Sequence, residues 1–360
     1  MNRYAIAVIV ALASSSGAAD AGQARGGGAA GTCDRACLTG IADAYFAALA
    51  AHDPARAPLA PAARSTENAQ EVRIGEGLWK TTTEAPAAFK IYVPDPVSGQ
   101  VGGLVAMKTD VVVEVAFRLK VVNRQITEAE HIVARITNEA AIANLQTPRP
   151  GLLETVPPNQ RLPREILLLF VHGYYDAIEQ SDGDLVPFAD DCVRRENGMH
   201  TVGPRPAGAA APAGGRRGAP AGPPPAGGGG AARAGGARAG GGPGGPGGAG
   251  AQTCAGQLDT RFMSYIQSIS LRRVWMADPE RGLAFGLSMF RHPMDEKTLS
   301  KTLTILNPDG TRSQRPMNFN PFDFESAHVI KVRDDTIHEI EAMGVSLPYF
   351  STNGWSDLPR

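Results

Sequence analysis

The chain has 360 residues, of which 35 are basic and 36 acidic, so its charges nearly cancel. That length allows two domains of ordinary size, and that balance gives no bulk electrostatic case for nucleic acid or another strongly anionic partner. Glycine (42) and proline (28) are abundant and concentrated in one segment, while aromatic residues make up only 6%.

Residues 1–19 read as an export signal. Asn2-Arg3 is followed by an apolar run, Ala5 to Ala13, and then by small residues up to Ala19. The run is shorter than the ~20 helical residues that span a bilayer core. Residues 20–32 are a Gly/Ala-rich linker without core-forming side chains. The expected location is therefore secreted or periplasmic, without stable membrane insertion.

Cys33 to His52 has the spacing of an amphipathic helix, with Leu38, Ile41, Tyr45, Ala48 and Leu49 on one face. Asp53-Pro54 stops it. Lys90 to Met107 reads as two strands around a turn, with Pro94-Asp95-Pro96 and Ser98-Gly99 supplying the turn chemistry. Val111 to Val122 is a β-branched run in which Arg118 and Lys120 share a face. Ile126 to Ile136 fits a strand or a short helix. Arg164 to Gln180 is a second amphipathic helix, opened by Pro163.

A repeat organises these elements. Offset by 129 positions, Leu38, Tyr45, Asp53 and Glu67-Asn68 fall on Leu167, Tyr174, Asp182 and Glu196-Asn197. Offset by 183, Lys90 to Met107 falls on Arg273 to Phe290, and offset by 211, Lys120-Val121 falls on Lys331-Val332. The second half carries extra sequence at 203–253, nearly all Gly, Ala, Pro and Arg, and again from Arg291 to Phe324, where Phe319, Phe322 and Phe324 could cap the mouth of the second cone or form a flap that buries an edge. The first of these cannot build a core and is expected to be disordered.

Four cysteines fit an oxidising compartment. Cys192 and Cys254 flank the low-complexity segment, so a bridge between them would clamp its ends. Cys33 and Cys37 lie within reach of each other at a helix start. A redox or metal site is the rival reading, but no CxxC is present and no histidine sits at zinc spacing.

Cys33-Asp-Arg-Ala-Cys-Leu38, Tyr45, Thr66-Glu-Asn68, Cys192-x-Arg194-x-Glu196, Cys254 and Arg272-Arg273 together resemble an uncharacterised secreted family of fungi and bacteria. The resemblance implies nuclear transport factor 2-like (SnoaL-like) cone domains. It covers most of Cys33 to Val345 apart from the insert, and it implies no particular reaction. The expected fold class is α+β: two tandem cones, residues 33–150 and 151–360, each with helices on a curved antiparallel sheet, packed as an internal pseudo-dimer.

A cone pocket lined by its sheet and first helix leads to a set of candidate residues. Glu196 is the candidate general base, because a carboxyl in an apolar cone loses hydration and becomes easier to protonate. A structural carboxylate paired with Arg194 or Arg195 is the competing reading, strengthened by the duplicate at Glu67-Asn68. His328 and Tyr174 are the candidate acid and oxyanion donor. Tyr175, His200, Arg273, Trp275, Phe290 and Glu341 are candidate ligand contacts, with Tyr45, Glu67, Arg118, Glu128 and Glu130 in the first half. Metal spacing and a nucleotide-binding glycine motif are both absent from the sequence, so no metal or cofactor is expected. The leading expectation is a cofactor-independent acid/base enzyme, of isomerase or lyase type, acting on a hydrophobic small molecule. The alternatives are a secreted protein binding a small molecule or cell-wall fragment, and an interaction protein whose cones are filled by their own side chains.

Overall fold

The computed structural model describes residues 33–204, 253–293, 302–307, 309–317 and 319–355. The expected signal, the linker at 20–32 and nearly all of the insert lie outside the described residues.

The first unit comprises α1 (Arg35–Ala50), β1 (Leu59–Glu67), β2 (Gln70–Glu71), α2 (Leu78–Thr81), β3 (Lys90–Asp95), β4 (Gln100–Lys108), β5 (Val112–Val122) and β6 (Gln125–Ile136). A joining segment carries α3 (Glu139–Asn144) and α4 (Pro150–Leu153). The second unit comprises α5 (Arg164–Gln180), β7 (Phe188–Glu196), β8 (Met199–Val202), α6 (Cys254–Asp259), β9 (Ser268–Asp278), β10 (Leu283–His292), β11 (Thr302–Leu306), β12 (Arg312–Pro316), β13 (Phe322–Arg333) and β14 (Thr336–Pro348).

The ambiguous stretch Ile126 to Ile136 is strand β6, as its counterpart β14 is. The two six-stranded sheets have matching orders, β2-β1-β6-β5-β4-β3 and β8-β7-β14-β13-β10-β9, and fit two tandem cone domains. Even their irregularities match. The register slips between Lys120 and Val121 in one sheet and between Lys331 and Val332 in the other. The expectation of purely antiparallel sheets needs correction, because β1 pairs with β6, and β7 with β14, in parallel. β1 and β7 are each entered from a helix rather than from a hairpin, and each is far in sequence from β6 or β14, the distant connection that parallel neighbours require.

Glu67-Asn68 and Glu196-Asn197 close these parallel pairs. Asn68 and Asn197 take positive φ angles of 49° and 47°, which asparagine tolerates better than most residues. Each clamps the backbone of the last strand: Asn68 accepts from Val133 N at 2.7 Å and Asn197 from Gly344 N at 3.0 Å. The asparagine of the duplicated pair is therefore a shared fold element. The glutamates have diverged. Glu67 accepts from Leu78 N at the start of α2, while Glu196 pairs with Arg194.

Helix α1 buries Leu38, Tyr45, Phe46 and Leu49 against one face of the first sheet, and α5 buries Leu167, Val171, Tyr174 and Tyr175 against the second. The opposite faces of the sheets pack on each other through Ile91, Leu104, Ala116 and Ile132 from one unit and Met276, Leu283, Phe285 and Val329 from the other. The result is a helix–sheet–sheet–helix stack. Part of the extra sequence after Arg291 forms the hairpin β11–β12, which buries Leu303 and Ile305 in the second unit's core. Phe319, from the same extra sequence, packs on that core too.

Cys33 is bonded to Cys37, and Cys192 to Cys254 across 62 residues. The second bridge ties β7 to α6 on either side of the insert. Among the described residues, no helix is long and apolar enough to cross a membrane.

Candidate functional site

The inner face between the sheets is polar at both ends, and the two ends are treated differently. Glu128 and Glu130 on β6 correspond to Glu339 and Glu341 on β14. At one end Arg118 of β5 donates to Glu128 and Glu130, at 2.8 Å each. At the other end Arg149, from the joining segment, bridges Glu339 and Glu341 at 3.2 and 3.0 Å. It also caps the carbonyls of Val193 and Ile340. The joining segment thus plugs one end of the interface.

The end that lacks this plug holds a cavity of about 690 Å³. Six cationic side chains line it, Arg64, Arg118, Lys120, Arg164, Arg272 and Arg273, against one lining carboxylate, Glu128. Trp275 on β9 and Trp355 on the C-terminal tail complete the wall, with Leu271 beside them. The tail crosses from the second unit to the first, and Gly354 fits against Thr66 and Ala69.

The Arg118 guanidinium lies between the two indoles, 5.6 Å from the Trp275 centroid and 5.1 Å from that of Trp355. Such stacking holds a cation over the negative face of a ring. Arg118 spends Nε and Nη1 on Glu130, Gln100 and Glu128, and its Nη2 has no hydrogen-bond partner among the described residues. Burial pushes the Glu128 and Glu130 carboxyls up. Lys120 and Arg118 around Glu128, and Arg273 and Arg118 around Glu130, more than offset it and hold both below the usual range. Trp275 is 41% exposed, so part of its indole is open to the cavity side.

Behind Arg273 stands Glu325. Arg273 donates to Glu130 and comes within 3.9 Å of Glu325, whose Oε2 has no partner. Burial and the neighbouring Glu130 push the Glu325 carboxyl up to about 8, with Arg273 pulling against them. Glu114, its counterpart on β5, meets Glu341 at the plugged end, and its carboxyl is likewise raised by burial and by that neighbour.

The second cone has its own cluster. Arg194 donates to the Tyr174 hydroxyl at 2.8 Å and to Glu196, so it joins two of the three candidate catalytic residues. His328 is fully buried. Its Nδ1 lies 3.2 Å from the Tyr175 hydroxyl, and its Nε2 has no partner. Phe290 stacks on the imidazole, and burial with Arg194 nearby drives that group well below its ordinary pKa. Gly286 makes this packing possible, since a Cβ there would lie 2.7 Å from the Tyr175 hydroxyl. The histidine is thus paired with Tyr175 rather than with Glu196 or Glu341.

The remaining candidates scatter. Glu341 sits on the opposite face of the sheet, held by Arg149. Strand alternation puts Arg118, Glu128 and Glu130 on the interface face too, so these first-half candidates leave the cone and join Arg273 and Trp275 at the cavity. His200 lies on β8, with Nε2 3.3 Å from Pro204 O. In the first cone the Tyr45 hydroxyl meets His131 at 3.2 Å. The sequence reading missed His131, Trp355, Arg64, Arg164 and Glu325 as site residues. The Asp95-Pro96 and Asp278-Pro279 repeat held a usable signal, because Asp95 is the partner of Arg164.

The model of a family described as a domain of unknown function (DUF8021) matches residues 160–344. No curated protein matches the chain. Among solved structures it is similar to a "putative polyketide cyclase" from Silicibacter sp. TM1040, at 10% identity and a TM-score of 0.26, covering 51% of this chain and 91% of that one. A likeness of that strength carries no argument about activity.

Proposed function

The chain belongs to the DUF8021 family, whose model spans half of it, and we propose that it is an exported binding protein that captures an anionic small molecule between its two units. The carrying observation is the cavity of about 690 Å³ at the unplugged end of the interface, lined by six cations and walled by two tryptophans. Guanidinium forks match carboxylate and sulfate oxygens in geometry as well as charge. Indole faces favour a ligand with a flat apolar body. The two disulfides support an oxidising destination, secreted or periplasmic.

Tryptophan fluorescence and calorimetry test this reading with matched pairs of organic carboxylates or sulfates and their neutral esters or amides. Binding of the anionic members, weakening as salt rises, is expected. Equal binding of the neutral members would remove it.

A second reading keeps acid/base chemistry in the second cone, with Glu196 as base and His328 and Tyr174 as acid and oxyanion donor. The unpartnered, buried Nε2 of His328 favours it. Tyr175, Phe290 and His200 would then contact a hydrophobic ligand. Metabolite capture by the purified protein, followed by turnover assays of Glu196→Gln, decides the matter. Turnover unchanged in that variant rules out the assignment.

A further inference from the structure

We propose that the ligand of the inter-unit cavity is an acidic sugar chain, a short oligosaccharide carrying uronate carboxylates; this rests on the anion-binding reading above. Three observations point there together.

The first is the form of the cationic groups. Arg118, Arg164, Arg272 and Arg273 each already grip a protein carboxylate: Glu128 and Glu130, Asp95, Asp176 and Glu179, and Glu130, respectively. They are already engaged with carboxylate oxygens, whose geometry the guanidinium fork matches. Glu128 itself shows what the cavity holds. It is a carboxylate between Arg118 Nη1 and Lys120 Nζ, at 2.8 and 2.9 Å. The unpartnered Nη2 of Arg118 offers a place for a second carboxylate beside it.

The second observation is how the cations are distributed. Arg64 and Lys120 come from the first unit and Arg164 and Arg272 from the second, so positive groups line the cavity from both sides. A guest with one anionic group would use only part of that lining. A chain that repeats a carboxylate on each ring would use both sides.

The third is apolar. Trp275 is 41% exposed and Leu271 39% exposed, both at the cavity. A pyranose ring has an apolar C–H face that stacks on an indole while its hydroxyls and carboxylate stay at the edge. The hydroxyl partners available at the cavity are Ser98, Gln100 and Asn353. Exposed aromatic surface set among cations from both units suits a ring that is flat on its face and charged at its rim.

The test compares trigalacturonate, its methyl ester, cellotriose, AMP and 2-naphthoate by calorimetry on the full chain. Trigalacturonate should bind with tryptophan quenching, and the methyl ester should lose about tenfold or more in affinity, as one lost charge-assisted contact predicts. Trp275→Ala should lose a similar factor and Trp275→Phe less, with circular dichroism confirming that both variants fold. Cellotriose binding as tightly as trigalacturonate overturns the acidic class. AMP or 2-naphthoate binding where trigalacturonate does not overturns the sugar chain but leaves an anion site standing. If none of the three anions binds, the anion-binding reading falls with it.

Discussion

Arg164 donates to Asp95 at 2.6 Å across the interface between the units. The repeat supplies the same contact in reverse, since Arg35 donates to Asp278 at 2.8 Å. Each unit thus reaches with the arginine that opens its helix to the aspartate that ends the other unit's first hairpin strand.

The Arg164–Asp95 pair should show measurable coupling. Asp95 also accepts from Val97 N, Ser98 N and Ala277 N, so removing it strands three backbone donors besides the arginine. Asp95→Ala is expected to cost more than Arg164→Ala, with the arginine change worth about 1–3 kcal/mol in urea unfolding. A double-mutant cycle should return a coupling of about 1 kcal/mol or more. Equal single-mutant costs would contradict the bonding described.

Stability should fall as pH rises through the neutral range, in part because of Glu325. Its folded carboxyl is pushed up to about 8, above its ordinary value of 4.5. Between those values the unfolded chain has lost the proton and the folded chain keeps it. The folded state therefore binds more protons, and ΔG of unfolding declines with pH. Glu325→Gln removes this contribution and should flatten the curve between pH 5 and 8, gaining on the order of 2 kcal/mol at pH 8 relative to pH 5. Chemical denaturation across that range reads it out. An unchanged slope would show that the carboxyl ionises normally.

The acid side is governed by buried histidines. Burial lowers His131 to about 4, from 6.5, and burial with Arg194 nearby lowers His328 well below its ordinary value. Below pH 6.5 the unfolded chain takes up protons that the folded chain refuses, so the stability present above that pH is lost on acidification through the folded values. His131→Gln and His328→Gln should each give a shallower loss between pH 6.5 and 4, while lowering stability at pH 7.5. A loss as steep as in the parent protein would place the acid sensitivity elsewhere.

The bridge between Cys192 and Cys254 closes a loop spanning 62 positions. In the chain-entropy account, closing a loop of that length restricts the unfolded state by about 4 kcal/mol. Cys192→Ser with Cys254→Ser should lower unfolding free energy by roughly that amount, most visibly in denaturant midpoints. Shortening the insert in the double variant should return part of the loss, because loop closure then costs less.

The duplicated architecture was legible because offsets of 129, 183 and 211 align residues that do the same work: Asn68 with Asn197, Asp95 with Asp278, and the paired register slips. The candidate site was legible only in pieces. Strands such as β4, β5, β10 and β13 are buried on both faces, so alternation tells which residues share a face but not which face meets the helix. Arg118, Glu130 and Glu341 were accordingly read into the cones. Arg149 and Trp355 lie in connecting sequence outside the repeat, and no periodicity signals that one blocks an end and the other walls the opposite one. Glu325 needed both units assembled, since its nearest charges come from β6 and β9.

Arg149 also sets the arithmetic of occupancy. Two separate copies of one unit, associating about a true two-fold axis, would offer two identical mouths and bind two guests. In this single chain, Arg149 of the connecting segment occupies one of those mouths. Titrations with the proposed guest should therefore saturate at one per chain.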